Sequence, residues 1–183
     1  MEAADVATDL KHVLFTADQI EARLHDIGAQ IDADYAGREL LLVGVLNGAV
    51  MVMSDLARAM RSHMQMDWMA VSSYGAATKS SGIVRILKDL NCDIKGRDVL
   101  LVEDIIDTGL TLNFLLDNLK AREPESIEVM AMFRKPEALL VDLPVKYLGF
   151  DIPNEFVVGY GLDYAQRYRN LRDVATLDPR VYS

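Results

Sequence analysis

Residues 99–112, Val-Leu-Leu-Val-Glu-Asp-Ile-Ile-Asp-Thr-Gly-Leu-Thr-Leu, constrain the fold of this chain more than any other segment. The run Val99–Val102 is short, apolar and bounded by polar residues, the pattern of a buried strand in a parallel sheet. Beyond the turn, Leu112, Leu115, Leu116 and Leu119 recur at helical spacing. A buried strand feeding an amphipathic helix is the working unit of an α/β fold. Ligands of such sheets bind beyond the carboxyl ends of the strands, which is where Glu103, Asp104 and Asp107 fall.

The turn has its own chemistry. Thr108, Gly109 and Thr111 are small and hydroxyl-rich, so backbone N–H groups stay open at the helix start. Those N–H groups and the positive end of the helix dipole form a site for phosphate. Acidic residues at a helix N-terminus can also serve only as caps, but three carboxylates beside a phosphate site repel the phosphate unless they face something else. A metal cation, sugar hydroxyls and a proton to be moved each suit a carboxylate. A sugar phosphate with an adjacent diol and magnesium satisfies every group at once.

The remaining pattern extends the same architecture. Thr16 followed by Gln19 fits a capping box, and Ile20, Leu24, Ile27 and Ile31 form one helical face behind it. Leu40–Leu46 is an apolar strand ending at Asn47-Gly48, and Ala49, Val52, Met53, Leu56 and Met60 mark an amphipathic helix. Further strands are predicted at Met66–Val71, Ile83–Leu87 and Ile127–Phe133, with two short ones near Val145–Leu148 and Glu155–Val158. The fold class is α/β, a mostly parallel twisted sheet with helices on both faces. Gly-rich fingerprints of dinucleotide and P-loop sites are absent.

Composition narrows the function. At 183 residues, with no charge-rich or Pro/Gly/Ser-rich linker, residues 1–183 read as a single domain. A net charge of −9 argues against nucleic acid and against an anionic membrane surface, both of which need clustered Lys and Arg. An anionic substrate must therefore be held by local donors and metal. Cys92 is the lone cysteine, so neither a disulfide framework nor a Cys zinc site is expected. No apolar run reaches the roughly 18 residues of a membrane span, and no basic-then-apolar leader opens the chain, which reads as cytoplasmic.

The run at 99–112 closely resembles the phosphoribosyl pyrophosphate motif of type I phosphoribosyltransferases. Ser72-Ser73-Tyr74-Gly75, Arg134-Lys135-Pro136 and the segment Phe156 to Tyr164 resemble the hypoxanthine-guanine branch of that family, and the likeness runs from about Leu41 to about Tyr182. The resemblance implies a core sheet with a small hood from terminal segments and a homodimer or homotetramer. It implies transfer of ribose 5-phosphate from phosphoribosyl pyrophosphate to hypoxanthine or guanine, with Mg2+, in purine salvage.

It also implies roles for particular residues. The 5′-phosphate falls on Asp107, Thr108, Gly109, Leu110 and Thr111, while Glu103 and Asp104 take the ribose diol and its magnesium. Asp107 matches the general acid/base at the purine imidazole nitrogen, and Asp163 a second metal-side carboxylate. Leu46, Asn47 and Gly48 match a pyrophosphate loop that often holds a non-proline cis peptide, and Arg169 matches the pyrophosphate-binding arginine. Lys135 matches the donor to the purine 6-oxo group, Phe156 the stacking ring, and Val157 a backbone reader of the ring edge. Ser73 and Tyr74 begin the counterpart of a mobile lid. Two positions depart from the pattern: Asn47 stands where lysine is common, and Leu110 where a polar or basic residue is frequent. A second reading keeps the fold but not the chemistry, as a regulator that binds phosphoribosyl pyrophosphate or nucleotide without turnover.

Overall fold

The computed structural model describes residues 1–73 and 84–182. Its strands are β1 (Leu10–Phe15), β2 (Leu40–Leu46), β3 (Met64–Ser73), β4 (Val84–Lys88), β5 (Asp98–Ile106), β6 (Ser126–Arg134), β7 (Tyr147–Asp151), β8 (Val157–Val158) and β9 (Val174–Leu177). The helices are α1 (Ala17–Asp34), α2 (Val50–Ala59), α3 (Leu110–Lys120) and the short α4 (Pro179–Tyr182). Six strands form one sheet in the order β4-β3-β2-β5-β6-β7. Every pairing in it is parallel except that of the edge strand β4 with β3.

Alternation along the central strands splits the core in two. Leu42, Leu100, Val102, Met130 and Met132 face α1 and α2, in one cluster with Ile20, Leu24, Ile27, Ile31, Val52, Met53 and Leu56. Leu41, Val43, Leu101, Val129 and Ala131 face the other way, onto Leu112, Leu115, Leu116 and Leu119 of α3. Each fully buried aliphatic side chain of this kind contributes about 1.5–3 kcal/mol, which is why both sides of β5 are apolar up to Val102. The helices thus cover both faces, as expected. The start of α1 also matches its sequence signal: the Gln19 N–H donates to Thr16 Oγ1, and the Thr16 N–H donates to Gln19 Oε1.

The two short late strands differ from expectation. The one near Val145–Leu148 lies at Tyr147–Asp151, and the one at Glu155–Val158 shrinks to Val157–Val158. Val157–Val158 does not join the main sheet. It pairs with β9, which pairs with β1, in a separate antiparallel sheet of three strands. That sheet is a hood built from both ends of the chain. Stacked rings fasten it to the main sheet: Phe15 of β1 lies 4.0 Å from Phe150 of β7 and 6.2 Å from Phe133 of β6, centroid to centroid.

Candidate active site

β5 ends in the carboxylates that sequence reasoning singled out, and pleating sends the first two in different directions. Glu103 is only 7 % exposed and lines a cavity of about 170 Å3 with Val45, Ile105, Asp107, Thr108 and Thr111. Burial, and then the nearby charge of Asp104, pushes the Glu103 carboxyl well above the usual carboxylate range. Asp104 lies against Gly48, where a Cβ would collide with its Oδ2. Burial raises Asp104 to about 6; the Ile105 N–H and the Arg169 charge pull it down, and Asp163 pushes it up. Burial is the larger cause at both carboxyls, and the charge of a neighbouring carboxylate adds to it.

The floor of the cavity is the turn into α3. Gly109 has φ +81° and caps the helix. A Cβ there would also press into Leu143 and Val141, each 2.9 Å away, so only glycine serves. The Leu140 N–H donates to the Thr108 carbonyl at 3.0 Å and holds residues 139–143 beside the turn. N–H groups in the first turn of α3 have no acceptor within the helix, and the cavity opens onto them. A cup with open N–H groups at a helix N-terminus suits an anion such as phosphate. Leu110 is half-buried and offers only its backbone.

Two neighbouring strands bring Asp107 and Lys135 together. β5 and β6 run parallel with Ile106 opposite Arg134, and the Lys135 N–H donates to the Ile106 carbonyl at 2.9 Å. Asp107 and Lys135 therefore leave adjacent strand ends side by side. Lys135 Nζ lies 3.4 Å from Asp107 Oδ2, with Lys135 8 % exposed and the Asp107 side chain 56 % exposed. One strand further out, Arg134 makes a two-pronged pair with Asp151 at 2.7 and 3.1 Å, which locks the end of β6.

On the opposite rim the β2–α2 turn meets the hood. The Leu46–Asn47 peptide is cis, as the resemblance implies. Gly161, at φ +98°, packs so closely that a Cβ would strike the Gly48 carbonyl oxygen. Arg169 Nη1 donates to the Gly161 carbonyl at 2.8 Å, and Nη2 pairs with Asp163 Oδ1 at 2.8 Å. The Asp163 carboxylate also accepts the Gln166 N–H. Asn47 is exposed at this rim. Phe156 stands 39 % exposed in the hood, and Val157 beside it is buried.

Of the anticipated residues, Glu103, Asp107, Thr108, Gly109 and Thr111 share the cavity, with Lys135 paired to Asp107 at its edge. Asp104, Gly48, Gly161, Asp163 and Arg169 form the facing rim. Among the described residues no three His, Cys, Asp or Glu side chains converge on one point, so Glu103, Asp104 and Asp163 do not make a closed metal cage. Ser73 ends β3, its backbone paired with Val84, while Tyr74 and the rest of the anticipated lid to residue 83 lie outside the described residues. Sequence reasoning missed Gly161, whose carbonyl seats Arg169, and Val45 and Ile105 in the cavity wall. No local pattern marks them as site residues: Val45 and Ile105 read as strand interior, and Gly161 as one glycine of a turn. A larger cavity of about 490 Å3, between α1, α2 and residues 160–172, shares only Arg169 with this site.

A family model described as the phosphoribosyl transferase domain matches residues 14–165. The hypoxanthine-guanine phosphoribosyltransferase of Mycobacterium tuberculosis is 56 % identical over 180 residues, covering 95 % of this chain and 89 % of the relative. The chain belongs to the hypoxanthine-guanine phosphoribosyltransferases. The Streptococcus agalactiae member of this phosphoribosyltransferase family is 50 % identical over 175 residues, covering 96 % of this chain and 97 % of its own length. A crystal structure of a hypoxanthine phosphoribosyltransferase from Staphylococcus aureus is similar at a TM-score of 0.94 and 45 % identity, covering 98 % of this chain and 97 % of that one. The type I phosphoribosyltransferase fold is therefore shared along nearly the whole chain.

Proposed function

We propose that this enzyme of purine salvage transfers ribose 5-phosphate from phosphoribosyl pyrophosphate to hypoxanthine or guanine, giving IMP or GMP and pyrophosphate. The observation that carries the reading is the Lys135–Asp107 pair, 3.4 Å apart, beside a small cavity floored by the N-terminus of α3. A cation that can donate to a 6-oxo group and a carboxylate that can hold the imidazole proton are thereby set next to a phosphate cup.

The 5′-phosphate sits on the backbone from Asp107 to Thr111, with the hydroxyls of Thr108 and Thr111 assisting. Glu103 faces the ribose from the cavity wall. Asp107 takes the proton from the purine nitrogen as the bond to C1 forms and pyrophosphate leaves. Lys135 favours hypoxanthine and guanine, because adenine presents an amine and leaves the ammonium unpaired. Phe156 stacks on the purine and the Val157 backbone reads its edge. Arg169 and the Leu46–Gly48 turn face the pyrophosphate, and Asn47 leaves that contact to backbone.

Asp104 and Asp163 supply hard oxygen donors without a closed cage, which suits an ion that keeps waters and takes further ligands from substrate phosphates. Magnesium, when bound, neutralises charge on pyrophosphate as it departs. The acidic composition and lone cysteine fit a cytoplasmic setting.

The test is nucleotide formation from phosphoribosyl pyrophosphate with hypoxanthine, guanine or adenine, with and without magnesium. Magnesium-dependent turnover of the two 6-oxopurines and little from adenine is expected. Tight binding of phosphoribosyl pyrophosphate with no turnover of any base would replace this reading with a regulator.

A further inference from the structure

Phe156, the ring expected against the purine, already has aromatic company. Tyr182 of α4 stacks on it with centroids 5.1 Å apart and planes at 29°. Tyr164 meets its edge at 5.7 Å and 89°, and the two tyrosines contact each other at 6.3 Å. These partners belong to the hood. Tyr164 and Val181 pack together on the cluster of Val158, Tyr168 and Leu177. The two tyrosines cover part of Phe156, and 39 % of the residue stays exposed.

The peptide that carries Tyr182 is tied down close to Phe156. The Leu177 N–H donates to the Phe156 carbonyl at 2.8 Å, and the Asp178 N–H donates to the Asp9 carbonyl at 2.8 Å. Asp178 then accepts the Arg180 N–H at 2.9 Å and pairs with the Arg180 guanidinium at 2.7 Å, which fixes the turn into α4. On the other flank of Phe156, Glu155 pairs with Lys11 of β1 at 2.8 Å. An exposed phenylalanine just before a two-residue strand would otherwise be free to turn about its side-chain bonds. A ring that must meet a planar base has to keep one orientation before the base arrives, because ordering a side chain on binding costs about 0.5–1.5 kcal/mol.

We propose that Tyr182 is a positioning residue for base binding: its ring backs Phe156 and presets the face that receives the purine. It touches no substrate and acts through Phe156 alone. This rests on the proposed transferase reading, in which Phe156 stacks on a 6-oxopurine.

The experiment compares Tyr182→Ala, Tyr182→Leu and Tyr182→Phe with the unchanged enzyme in steady-state kinetics for hypoxanthine, guanine and phosphoribosyl pyrophosphate. Calorimetric binding of GMP accompanies it. Loss of one aromatic pair predicts a base KM raised about two- to tenfold and GMP binding weakened to match. The kcat and the KM for phosphoribosyl pyrophosphate stay within about twofold, and Tyr182→Phe restores the base KM. Tyr182→Leu keeps apolar bulk on the hood and separates ring stacking from simple folding, so it should behave as the alanine variant does. An unchanged base KM in the leucine variant overturns the proposal. So does a lowered one, which would mean that Tyr182 competes with the base, or an equal rise in both KM values, which would mean a merely structural role. If the unchanged enzyme turns over no base, the transferase reading fails, and GMP binding across the three variants still decides the role of Tyr182.

Discussion

Asp107 and Lys135 lie 3.4 Å apart although 28 residues separate them, because β5 and β6 are parallel neighbours that end level with each other. Half of that pair is open to solvent and half is buried: the Asp107 side chain is 56 % exposed and that of Lys135 10 %. The carboxylate is thus open to an arriving ligand, while the amine is held in place beneath it.

Asp107→Asn keeps the size and hydrogen-bonding reach of the side chain but removes its basicity. General acid/base catalysis is worth about 10²–10⁴ in rate. The kcat with hypoxanthine is expected to fall by about that factor while the KM for phosphoribosyl pyrophosphate changes little. A loss below threefold in single-turnover rate would take Asp107 out of the role.

Lys135→Met removes the cation and keeps the apolar stem. A hydrogen bond to a charged group is worth about 1.5–3 kcal/mol, so kcat/KM for hypoxanthine and guanine should drop roughly 10- to 150-fold. Adenine, which gains nothing from the ammonium, should be far less affected, and the preference for 6-oxopurines should shrink. Equal losses with all three bases would show that Lys135 supports Asp107 rather than reading the base.

These roles were legible in unequal measure. The strand before Glu103 announces itself as an unbroken apolar run and the helix after Gly109 by its helical period, and the Thr16–Gln19 cap is a purely local device. The strands Leu10–Phe15 and Val174–Leu177 do not. The first shows no clean alternation of burial and the second is only four residues long, and each finds its partner across most of the chain. Without them the hood is legible only through family resemblance, and the setting of Phe156 is not legible at all. The Lys135–Asp107 contact and the seat of Arg169 on the Gly161 carbonyl depend on register and loop path. The Phe156–Tyr164 and Arg134–Lys135–Pro136 segments point to them only through family resemblance.

Gly161 tests the junction of the hood with the β2–α2 turn. At φ +98° an alanine is strained by about 1–3 kcal/mol, and its Cβ would push against the Gly48 carbonyl. Gly161→Ala should raise the KM for phosphoribosyl pyrophosphate severalfold, since Arg169 donates to the Gly161 carbonyl. It should also lower Tm by about 2–4 °C for each kcal/mol of strain. Gly37→Ala is the control: its φ is +76° but nothing lies within 4 Å of the added Cβ. That variant should lose stability and leave the KM unchanged, and a KM shift as large as that of Gly161→Ala would refute the junction.

Asp67 offers a pH dependence that leaves the chemistry alone. It is 5 % exposed on β3 and accepts the N–H groups of Trp68 at 2.8 Å and Asn91 at 2.6 Å, with Lys88 Nζ 3.6 Å away. Burial alone would raise its carboxyl; the two N–H groups, the Cys92 thiol and the Lys88 charge outweigh burial and hold it below the usual value. A depressed pKa in the folded state means that the native protein favours the ionised form. The resulting stability is present above the ordinary carboxylate pKa of 3.8 and is lost as pH falls through the lower folded value. Asp67→Ala leaves the Trp68 and Asn91 N–H groups without this acceptor; at about 1–3 kcal/mol for each, the cost is about 3–5 kcal/mol at neutral pH. Tm should drop by about 6–20 °C at pH 7. The gap between the two proteins should narrow as pH falls below 3.8, where the unfolded chain takes up the proton that folded Asp67 resists, and a gap that stays constant from pH 7 to pH 3 would show that the carboxylate charge contributes nothing. Where both proteins remain folded their kcat values should agree, because Asp67 ties the 89–92 connector to β3, away from the Asp107–Lys135 pair.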